Sequence, residues 1–138
     1  MRTKIAVAMV ITGLLLAAAP AWAHHAFGAE FDIDKPIKLT GTLTKVEWIN
    51  PHAWLHIDVK APDGTVTDWM VEGGSPNTLL RHGFTRNTLE VGTVIIVSGF
   101  QAKDGTNKAN GKDITFLDGR KLLMGSSATA TDTQTPAK

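Results

Sequence analysis

The chain has 138 residues, 14 basic against 13 acidic side chains for a formal net charge of +1, and no cysteine. So even a balance argues against nucleic acid as a partner. The missing thiol excludes disulfides, thiolate metal sites, thiol catalysis and the acylated cysteine of a bacterial lipoprotein.

In chain order, Arg2 and Lys4 precede an apolar run of 15 residues, Ile5 to Ala19, and then Ala21-Trp22-Ala23. The run is shorter than the roughly 20 residues a spanning helix needs. Small residues stand at the two positions signal peptidase reads, so residues 1–23 are predicted to be a cleaved export signal that leaves no membrane anchor. The protein is then expected in the periplasm. Loss of Arg2 and Lys4 leaves 12 basic side chains against 13 acidic ones, a net charge of 12 − 13 = −1.

Residues 24–36 read as an extended N-terminal segment in which Glu30, Asp32 and Asp34 are solvated, and Pro36 favours an extended entry into the first strand. Apolar residues fall on odd positions at Ile37, Leu39 and Leu43 and on even ones at Val46 and Trp48. That change of phase predicts a bulge between Gly41 and Lys45, which lets one strand serve both sides of a barrel. From Ala53 to Lys60 the alternation is clean: Ala53, Leu55, Ile57 and Val59 face inward and His52, Trp54, His56 and Asp58 outward. Pro62-Asp63-Gly64 is a turn, and Thr65 to Glu72 is a third strand.

Ser75 and Pro76 are an N-cap and first-turn proline, and Gly83 is a left-handed stop, for a helix of about two turns. His82 sits in its last turn, where positive charge suits the free carbonyls. Val94 to Phe100 is a central strand, Lys103 to Asn110 a polar loop, Ile114 to Leu117 a strand, and Asp118-Gly119 turns the chain into Arg120 to Met124. Residues 125–138, poor in large apolar side chains, read as a disordered tail. Residues 37–124 therefore predict an all-β domain with one short helix, a small five-stranded, partly open barrel of the oligonucleotide/oligosaccharide-binding (OB) type.

The chain is similar to an exported bacterial family catalogued as domain of unknown function 6152. The residues that carry the likeness are His24-His25-Ala26-Phe27, Phe31-Asp32 with Lys35-Pro36, Leu39-Thr40-Gly41, Trp48 with Asn50-Pro51-His52, Gly74-Ser75-Pro76 and Asp118-Gly119-Arg120-Lys121. Ala26 stands where Ser is expected to be common. The resemblance implies an exported, single-domain, barrel-like protein and assigns no activity and no catalytic residue.

Cleavage after Ala23 would make His24 the first residue, and an N-terminal histidine offers a metal its α-amine and its imidazole together. A planar nitrogen set suits Cu(II), which also leads the usual affinity order. His52 and His56 lie about 13 Å apart by strand rise, too far to chelate readily as a pair. His52, at a loop edge after Asn50-Pro51, is the preferred third ligand, with His25 and His56 as the other candidates. A thioether from Met70 or Met124 would favour Cu(I), although methionine in a strand is more often packing.

A second reading uses the same face without metal: Trp54, with Trp69 and Asn50, would hold a small molecule, a glycan or a periplasmic partner protein. Trp48 follows the phase shift inward and belongs to the core. No catalytic residue is predicted, because no nucleophile has an adjacent base and Asp58 stands only loosely near His56.

Overall fold

The computed structural model describes residues 27–128. After a helical turn at 27–30, the elements are β1 (Phe31–Glu47), β2 (Trp54–Lys60), β3 (Val66–Glu72), α1 (Pro76–Arg81), β4 (Val94–Ala102), β5 (Lys108–Phe116) and β6 (Lys121–Leu123). The strands lie in the order β3-β2-β1-β4-β5-β6, and β3 also pairs with β5. That pairing is parallel and closes five strands into a ring. With a helix between β3 and β4, this is the OB-type barrel that the pattern of elements predicts.

β1 makes the closure possible. Its first part pairs with β4 and its last part with β2, and the register slips between Leu43 and Lys45, within the segment where the hydrophobic phase changes. A Cβ on Gly41 would lie 2.9 Å from the Asp58 carbonyl oxygen, so only glycine lets the strands approach this closely. On β2, Leu55 and Ile57 are wholly buried, as is Ala53 just before it, and they pack with Val71, Ile95, Val97 and Ile114. α1 caps this core with Leu79, helped by the fully buried Phe84. The Ser75 hydroxyl accepts from the Thr78 N–H at 3.2 Å, and Gly83 has φ +94°, which stops the helix. His82 bonds through Nδ1 to the Leu123 carbonyl at 2.7 Å, a structural contact to β6.

Three boundaries differ from the sequence reading. β1 begins at Phe31 rather than Ile37, because Phe31 already pairs with Ala102. β5 begins at Lys108, inside the predicted polar loop: Lys108, Ala109 and Asn110 pair with Met70, Val71 and Glu72, and barrel closure outweighs local composition. The start of the predicted tail is packed. Ser126 and Ala128 are buried, the Ser126 hydroxyl donates to the Gly111 carbonyl, and the Ala128 N–H donates to Asn110 Oδ1 at 3.0 Å. Ala128 joins Phe27, Phe31 and Ala102 in a satellite cluster on the outside of the barrel, with Phe100 against it. The Phe27 and Phe31 rings stack with centroids 5.8 Å apart. Both ends of the domain thus meet beside the seam where β3 joins β5.

Candidate functional site

The alternation of β2 sends Trp54 outward, and the β2–β3 register sets Glu72 directly opposite it. His52 precedes Trp54 on the same face, as period two requires. These three side chains form one side of a pocket of about 270 Å³. Phe27 and Phe31 of the satellite cluster, with Glu30 and Ser127, complete the lining.

Glu72 governs the electrostatics. Its side chain is only 8% exposed, and burial pushes its carboxyl above the ordinary carboxylate range, with nearby Glu30 adding to the rise and His52 and Lys108 opposing it. His52 Nδ1 lies 3.3 Å from Glu72 Oε1 and 3.2 Å from the Gly73 carbonyl oxygen, while 45% of the His52 side chain is exposed. Lys108 pairs with Glu30 and holds its ammonium 5.4 Å over the Trp54 ring and 5.9 Å over that of Phe31. Two glutamates, a histidine and a lysine are thus gathered around the pocket.

The other predicted residues are placed as follows. His24 and His25 lie outside the described residues. His56 points out on the same side of β2 but is removed from the pocket: its Nε2 is 3.0 Å from Glu47 Oε1 on β1 and its Nδ1 3.9 Å from Asp68 Oδ2 on β3. It ties β2 to both neighbouring strands as a cross-strand strut. Trp69 pairs with the inward Ile57 and packs against the main core, on the opposite face of β3 from Glu72, so it does not join Trp54. Asn50 is exposed and lines no part of the pocket. Met124 is a wholly buried core residue. Trp48 packs against the core as expected, with the Arg86 guanidinium 5.7 Å from its ring.

Among the described residues no group of three or more histidine, cysteine or acidic side chains is set to hold a metal ion, so the pocket alone offers an incomplete donor set. Sequence reasoning missed Glu72, Glu30, Phe27, Phe31 and Lys108. The one local signal was the pair of phenylalanines four apart ahead of the first predicted strand, Phe27 and Phe31; nothing local marked Glu30, Glu72 or Lys108.

The chain belongs to the family of unknown function DUF6152, which it matches over residues 11–112. That span contains every pocket residue except Ser127. No curated protein matches the chain.

Proposed function

We propose that this is an exported, periplasmic copper-binding protein. In this reading a leader ending at Ala23 is removed, and the amine and imidazole of His24 join His52 around one Cu(II). The observation that supports it is the position of Phe27 in the pocket wall. Two residues, His25 and Ala26, separate Phe27 from His24, and the three Cα–Cα steps between them reach at most about 11 Å. A freed terminus would be tethered to a residue that lines the same pocket as the part-exposed His52 imidazole. His25 is the alternative donor from the same tether.

The test is calorimetric titration of Cu(II) into the chain that begins at His24 and into a form with one extra residue ahead of it. The first is expected to bind one ion tightly, and the second at least about tenfold more weakly. Equal affinities would overturn the reading.

The three aromatic rings of the pocket favour a second reading, in which it holds a small organic ligand against Trp54. Saturable change of tryptophan fluorescence by such a ligand, with no heat on copper addition, would favour it over the first.

A further inference from the structure

We propose that His52 offers its Nε2 to the bound ion and that Glu72 is the positioning residue that keeps that nitrogen free. This deepens the copper reading and rests on it. His52 Nδ1 stands 3.2 Å from the Gly73 carbonyl oxygen. A carbonyl can only accept, so this bond needs the hydrogen on Nδ1. A neutral imidazole has one N–H, and the lone pair then falls to Nε2.

The acceptor is held still. The Gly73 N–H donates to the Ala53 carbonyl at 2.9 Å, and the Ala53 N–H donates to the Gly74 carbonyl at 2.9 Å. Glu72 Oε1, 3.3 Å from the same ring nitrogen, adds a second acceptor. Its side chain is 8% exposed and packed beneath the pocket, so it has little freedom to turn away to water. With Nδ1 engaged by the protein, Nε2 is left for the pocket. A carboxylate behind a ligating histidine fixes the ring and raises the basicity of the nitrogen that meets the metal.

The experiment is long-range proton–nitrogen NMR on the metal-free secreted protein, followed by titration with Cu(II) against a competing chelator. The wild type is expected to hold His52 as the Nδ1–H tautomer, and Glu72→Leu to raise the share of the Nε2–H form. Glu72→Leu and Glu72→Gln are expected to weaken Cu(II) binding about 10–100-fold, with Glu47→Gln unchanged. An Nε2–H tautomer in the wild type would overturn the proposal, as would Glu72 variants that leave both tautomer and affinity unmoved. If Glu72→Leu does not fold, the near-isosteric Glu72→Gln decides. A secreted protein that ignores copper would sink the copper reading, while the tautomer measurements would still judge the roles of Glu72 and Nε2.

Discussion

Two histidine–glutamate pairs stand on one side of the barrel, four residues apart along the chain at His52 and His56. Their glutamates differ. Glu72 is almost wholly covered and its carboxyl is pushed up by burial, whereas the Glu47 side chain is 28% exposed and hydrogen bonds from Lys45 and His56 hold its carboxyl below the usual range. The histidines differ in consequence. Each ring nitrogen of His56 faces a carboxylate, so the ring braces three strands, while His52 has one nitrogen tied to the protein and its ring borders a pocket. The same two residue types make a strut or a candidate ligand according to what covers them. Glu72 shares its pocket with Phe27 and Phe31 of the satellite cluster.

The largest test removes what both pairs share. Leu55 lies on β2 between the two histidines, wholly buried on the inner face. Leu55→Ala is expected to cost about 2–5 kcal/mol, read from urea unfolding. A cost under about 1 kcal/mol would show that β2 is not anchored by its inward residues and that neither pair is held as described. Next in size is the contrast in copper binding. His52→Ala should lower Cu(II) affinity of the secreted protein at least about tenfold, and His56→Ala should leave it within about twofold. Equal losses would erase the distinction between ligand and strut.

The barrel was legible in the sequence because its signals are local. Strict alternation from Ala53 to Val59 tells inside from outside, the phase slip between Leu43 and Val46 marks the bulge, and Ser75, Pro76 and Gly83 bracket the helix. It also places His52, Trp54 and His56 on one face. The pocket was not legible, because its second wall exists only after the barrel closes. Phe27 and Phe31 are buried against Ala102 and Ala128, partners about 70 to 100 residues away that no period reveals. Ser127 reads as part of a polar tail until Asn110 donates to its hydroxyl at 3.2 Å. Glu72 looks like the polar end of a strand. Its burial depends on the pairing of β3 with β5, whose first residues read as loop.

The smallest effect is in the pH dependence of stability without metal, where the two glutamates should act with opposite sign. Both start from an ordinary value of 4.5. Glu47 has the lower pKa when folded, so its stabilisation is present above the ordinary value and is lost as pH falls below it through the folded pKa. Glu72 has the higher pKa when folded. The unfolded chain then releases the proton first, the native state binds more protons in the window just above the ordinary value, and stability declines as pH rises through that window. Denaturant midpoints followed across the carboxylate range should show Glu47→Gln flattening the acid side alone and Glu72→Gln flattening the decline above it alone. A single variant that flattened both sides, or two variants that flattened the same one, would mean that the two carboxylates share one environment. Burial would then not be what separates the strut from the candidate ligand.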